Sequence, residues 1–82
     1  MTEQEFKNIV AKKIAYYRKL EGITQGELAE FLNYSDKSVS KWERAEGMPD
    51  AYVLSQIADR FKVTLNDLTS EKEPKISGKF IK

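Results

Sequence analysis

Cysteine and histidine are both absent from this 82-residue chain. Without cysteine there is no disulfide and no thiolate to act as nucleophile or metal ligand; without histidine there is no side chain that shuttles protons near neutrality. The commonest hydrolytic and redox sites therefore cannot be assembled, and neither an enzyme nor a bound metal or cofactor is expected. Also missing is any apolar run near the ~18 residues needed to span a bilayer, so no membrane association is expected. An excess of one charge is lacking too: 14 basic residues stand against 13 acidic ones, a net charge of +1 that does not by itself announce a partner for nucleic acid. The opening Met1-Thr2-Glu3-Gln4-Glu5 is polar and acidic where a secretory signal would be basic and then apolar, which argues for a cytoplasmic chain. Its length allows one small domain and excludes a multidomain enzyme.

The distribution of charge says more than its sum. Residues 1–23 carry Lys7, Lys12, Lys13, Arg18 and Lys19 against Glu3, Glu5 and Glu21, whereas residues 24–34 carry only Glu27 and Glu30. A basic stripe, if there is one, has to be assembled in three dimensions.

Five short helices can be read along the chain. Thr2-Glu3-Gln4-Glu5 has the spacing of a capping box, and Phe6, Val10, Ile14 and Tyr17 follow on one helical face until Gly22, predicting a helix over roughly 3–21. Thr24-Gln25-Gly26-Glu27 repeats the box ahead of Leu28, Ala29 and Leu32, a short helix ending at Asn33. Ser35 caps a third helix that buries Val39 and Trp42 and is expected to run until Gly47 and Pro49 end it. Asp50 caps a fourth, with Leu54, Ile57, Ala58 and Phe61 inward, and Thr64-Leu65-Asn66-Asp67 opens a fifth that should bury Leu65 and Leu68. No strand pattern competes before residue 75. The expected class is all-α, a compact five-helix bundle over residues 1–69. Residues 70–82 form a charged, proline-containing tail whose Ile76, Phe80 and Ile81 are expected to pack on a dimer partner or a protein ligand.

The informative segment runs from Gln25 to Arg44: two short helices with a tight turn between them. Ala29 is small enough for a close crossing, Asn33 tolerates the left-handed turn, and Val39 and Trp42 anchor the second helix from beneath. Asp36, Lys37, Ser40, Lys41 and Arg44 are then left pointing outward. On composition alone, lysines at 37 and 41 describe a solvated face as well as a binding one. Trp42, three residues from Val39, reads as a structural anchor rather than a base-stacking platform. Glu27, Glu30, Glu43 and Glu46 have nothing beside them to complete a catalytic carboxylate pair.

Thr24-Gln25, Glu27-Leu28-Ala29, Ser38-Val39-Ser40-Lys41-Trp42-Glu43-Arg44 and Met48-Pro49-Asp50 together resemble the lambda-repressor/Cro-type helix-turn-helix family of DNA-binding regulators, over about residues 8–69. The resemblance implies a five-helix bundle whose third helix, helices 2 and 3 forming the motif, enters the major groove. It implies phosphate contacts by Gln25, Ser35, Ser38 and Arg44 with Lys19 at the edge, and base-edge contacts by Asp36, Lys37, Ser40 and Lys41. Arg18 and Glu43 occupy positions where this family commonly has a partly buried salt bridge. The sequence departs from the family at Asn33 and Lys62, where glycine is usual and lysine costs roughly 1 kcal/mol in a left-handed conformation. It departs again at Phe31, where a polar residue is usual and the ring either folds on its own surface or meets a protein. Asp36 is a further departure, since an acid near DNA is repelled by phosphate unless it accepts a hydrogen bond, as from cytosine N4.

The function implied is a sequence-specific regulator of transcription, a repressor acting as a homodimer on double-stranded DNA with a near-palindromic operator. Two alternatives stay open on the sequence: an antitoxin using the same core with a toxin-binding tail, and a protein-interaction module without DNA binding.

Overall fold

In the computed structural model, which describes residues 1–71, the chain forms α1 (Glu3–Leu20), α2 (Gln25–Leu32), α3 (Asp36–Glu43), α4 (Ala51–Phe61) and α5 (Leu65–Thr69). Among the described residues there is no strand. Ile76, Phe80 and Ile81 lie outside the described residues, as does most of the tail assigned to 70–82.

Every helix begins where a short polar side chain can satisfy the orphan N–H groups of a first turn. Thr2, Thr24 and Thr64 each accept from the backbone three residues on while the acid there, Glu5, Glu27 or Asp67, accepts from the cap's own N–H, giving three complete capping boxes. Ser35 and Asp50 cap α3 and α4 from the side chain alone, accepting from Ser38 and Val53 at 3.3 and 2.9 Å.

The other ends share a second device. After α1, α2, α3 and α4 the chain turns through a left-handed residue, Gly22, Asn33, Ala45 and Lys62 respectively. The next residue's N–H then bonds back five positions, Ile23 to Arg18, Tyr34 to Ala29, Glu46 to Lys41 and Val63 to Ala58, at 2.8–3.2 Å. Only one of the four turns uses glycine. α3 thus ends at Glu43, before the Gly47 and Pro49 expected to stop it, because Ala45 at φ 60° has already taken the left-handed turn. Each side chain in that region carries a steric cost, so Lys62→Gly is expected to raise stability by about 1 kcal/mol in a urea melt. A destabilised variant would mean that Lys62 contributes contacts outweighing its strain.

Between these ends, helical spacing decides what is buried. Val10, Ile14 and Tyr17 of α1, Leu28, Ala29 and Leu32 of α2, Val39 and Trp42 of α3, Val53, Leu54, Ile57, Ala58 and Phe61 of α4 and Leu68 of α5 form one core, with Phe6 packed at its edge. Tyr17 stacks on Phe61 with ring centroids 6.2 Å apart. Burial first, then the nearby Asp67 carboxylate, pushes the Tyr17 phenol above its ordinary value, so this core tyrosine stays neutral.

Two features of the α1–α5 contact depart from the reading by spacing. Leu65 is 45% exposed, because a five-residue helix turns only one large side chain, Leu68, into the core. Lys13 is buried, its Nζ donating to the Asp67 carbonyl at 3.4 Å and its alkyl stem covering apolar surface.

Candidate nucleic-acid interface

Three residues, Asn33–Ser35, join α2 to α3. Asn33 is left-handed at φ 64°, ψ 40° and Ser35 extended at φ −91°, ψ 157°, so the chain reverses and re-enters a helix at once. α3 is held from below by Val39, fully buried, and by Trp42, 7% exposed, with the Tyr34 ring leaning on the indole at 5.4 Å. Anchored there, α3 leaves Asp36, Lys37 and Lys41 exposed and Ser38 and Ser40 half-buried.

The far end of α3 is fixed by a polar cluster that is nearly dry. Arg18 Nε and Nη2 donate to the two Glu43 carboxylate oxygens at 2.6 and 3.0 Å, and Nη1 donates to the Ile23 carbonyl at 2.8 Å. The two side chains of the pair are 11% and 8% exposed. Hydrogen bonding to Glu43 holds the Arg18 guanidinium above its ordinary range, against burial, which pulls the other way, so the guanidinium stays charged. Gln25, the first residue of α2, also donates to Glu43 Oε1, at 2.9 Å. One carboxylate therefore ties together the end of α1, the start of α2 and the end of α3. That bond leaves the second N–H and the carbonyl of the Gln25 amide for an outside partner.

The remaining candidates fall into place around this frame. The Ser35 and Ser38 hydroxyls lie 3.3 Å apart while Ser35 Oγ caps the helix, so both sit at the N-terminal end of α3. The Lys37 and Lys41 ammonium groups make no hydrogen bond or ion pair among the described residues. Arg44 does: Nε and Nη2 donate to the two oxygens of Glu46 at 3.1 Å each, and Nη1 donates to Ser40 Oγ. This pair is open to solvent, its side chains 53% and 55% exposed. Hydrogen bonding to Arg44 lowers the Glu46 carboxyl below its usual range, with Arg44 raised in return. A depressed carboxyl means that the pairing is complete above the ordinary carboxylate range and is lost as pH falls through the folded value. Lys19 is exposed in the last turn of α1, next in sequence to Arg18, and no hydrogen bond or ion pair links it to α3 among the described residues.

Helical spacing could not reveal the partnership of Arg44 and Glu46, two residues apart, because such neighbours diverge on a helix. The signal missed was the left-handed turn at Ala45 between them. Phe31 of α2 is 52% exposed, with the Arg60 guanidinium 6.0 Å from its ring centroid and Arg60 paired to Glu21 at 3.6 Å. Among the described residues no helix is long and apolar enough to cross a membrane.

Comparison with known proteins agrees with this arrangement. A family profile described as helix-turn-helix matches residues 14–68. The HTH-type transcriptional activator BcrR of Enterococcus faecalis is 37% identical over 62 residues, covering 76% of this chain and 30% of that protein. The chain thus spans less than a third of the curated relative that it matches. Among solved structures, a transcriptional regulator from Vibrio cholerae superposes with a TM-score of 0.73 at 24% identity, over 82% of this chain and 38% of the other. A hypothetical transcription factor from Neisseria superposes with a TM-score of 0.74 at 21% identity, over 100% and 91% of the two chains. At these identities the two structures bear on the fold.

Proposed function

The chain belongs to the helix-turn-helix family, and from that premise we propose that it is a non-enzymatic, sequence-specific DNA-binding regulator of transcription whose α3 enters the major groove. The observation that carries the reading is the outward face of α3. Lys37 and Lys41 stand one turn apart on a helix fixed from beneath by Val39 and Trp42, and neither lysine is engaged by an ion pair within the described residues.

In this reading residues 1–69 are the DNA-binding domain. Gln25, Ser35, Ser38 and Arg44, with Lys19 at the edge, meet phosphates; Asp36, Lys37, Ser40 and Lys41 meet base edges. Lysine donates well to guanine O6 and N7, so at least one of the two lysines reads a G. The protein acts as a homodimer on a two-fold operator. Repression is the proposed outcome, since occupancy of a promoter needs only the α3 face, whereas activation needs a further surface. The relative named as a transcriptional activator supplies the opposing expectation, which a reporter with the selected site upstream of or over the promoter decides.

Selection of bound DNA from a random pool, followed by titration of variants, tests the reading. Lys37→Ala or Lys41→Ala, whichever reads the base, is expected to cost ~1–3 kcal/mol on the preferred site and to flatten preference at one base pair. Arg44→Ala is expected to weaken all sequences alike and to leave base preference unchanged. Asp36→Ala separates its two roles: selectivity falls if it accepts from cytosine, and affinity rises for every sequence if it only repels phosphate. Unchanged binding by Lys37→Ala and Lys41→Ala together would remove α3 as the reader.

A further inference from the structure

Arg44 is the strongest cationic hydrogen-bond donor at the end of α3, and in the unbound protein its fork is already filled. Glu46 meets it with two oxygens at 3.1 Å each, the bidentate geometry in which a guanidinium also receives a phosphate. The contact is built by the backbone. Ala45 at φ 60° folds the chain back, and the Glu46 N–H donates to the Lys41 carbonyl at 2.9 Å, which sets the carboxylate over Arg44.

We propose that Glu46 is a built-in competitor for the DNA phosphate at Arg44, setting how tightly and how salt-sensitively the protein holds DNA. The proposal rests on the DNA-binding reading and deepens it. A phosphate that reaches Arg44 must displace the carboxylate from the Nε and Nη2 edge, and the displaced negative charge remains beside the DNA. With Glu46 ionised the pair is neutral, so Arg44 contributes little net counterion release; with Glu46 neutralised it contributes a full charge. The pair is half open to solvent, so displacing it is cheap and binding is weakened rather than abolished. Such a brake acts on all sequences and leaves discrimination to the side chains that meet base edges.

The test is Glu46→Gln in the full chain, titrated against the selected site and a scrambled one at several salt concentrations. Binding to both is expected to tighten roughly threefold to tenfold, the scale of one charge at contact distance in water, with the salt slope steeper by about one. An unchanged urea midpoint establishes that the fold is intact, as expected for an exposed pair. Weaker binding would mean that Glu46 braces Arg44 for the phosphate, and unchanged binding that the pair lies off the DNA; either result overturns the proposal. The same substitution in an Arg44→Ala background is expected to gain much less, and an equal gain would show general repulsion instead of competition. If neither the wild type nor the variant retards any DNA at low salt, the DNA-binding reading and this inference fall together. Equal affinities for both proteins overturn this inference alone.

Discussion

Replacing Glu43 by alanine is expected to lower the stability of the fold by about 3 kcal/mol. The cost comes from what is left behind. Arg18 is 11% exposed, and with Glu43 gone its guanidinium keeps only the Ile23 carbonyl, while Gln25 loses the acceptor at 2.9 Å. An uncompensated buried cation is among the few surface-distant losses that reach this size. Glu43→Gln is expected to cost about half as much, since an amide oxygen still accepts from Arg18 but carries no charge. Replacing both partners with leucine is expected to recover most of the loss, because apolar side chains of similar volume remove the desolvation cost along with the attraction. Urea melts of the three variants check the series. A change below about 0.5 kcal/mol for Glu43→Ala would mean that the pair is incidental to stability, as exposed pairs are.

Trp42→Ala is expected to be still more damaging, at about 3–5 kcal/mol, the range for removing a large buried aromatic side chain. The indole is one of two apolar anchors beneath α3, and Tyr34 leans on it from the turn, so truncation opens a cavity and strands a second ring. For a domain of this size each kcal/mol moves the melting temperature by roughly 4–8 °C, so the expected drop exceeds about 10 °C. Circular dichroism followed through a thermal ramp measures it. Trp42→Phe, which keeps an aromatic filler, should lose far less. A drop below about 1 kcal/mol for the alanine variant would show that Val39 and the Arg18–Glu43 pair hold α3 without the indole.

Helix starts were legible in the sequence because each is written in a local chemical code: Thr2 with Glu5, Thr24 with Glu27, Thr64 with Asp67, and the single caps Ser35 and Asp50. The inward faces followed from spacing, and Val39, Trp42 and Ile57 are buried as the 3.6-residue period requires. The helix ends were harder. Alanine carries no turn signal, so the stop at Ala45 was invisible while Gly47 and Pro49, further along the chain, drew attention too late. Leu65 shows the limit of periodicity in a helix of little more than one turn, where the pattern has too few residues to define a face. In the candidate interface the outward residues of α3 were legible from the same spacing. The contacts Gln25 makes to Glu43 and Arg44 makes to Glu46 were not, because each is set by how separate segments are brought together and not by the period of one helix.

The split between the two faces of α3 has a consequence for descent and for engineering. Val39 and Trp42 carry the packing, whereas Asp36, Lys37 and Lys41 are exposed and carry almost none of it. Exchanges at exposed positions of this kind usually shift stability by less than about 0.5 kcal/mol. The three positions can therefore drift, or be randomised in a library, without consuming the fold's narrow stability margin. A lineage of duplicated genes could diverge in operator preference one residue at a time, each intermediate still folded, with no compensating change required in the core.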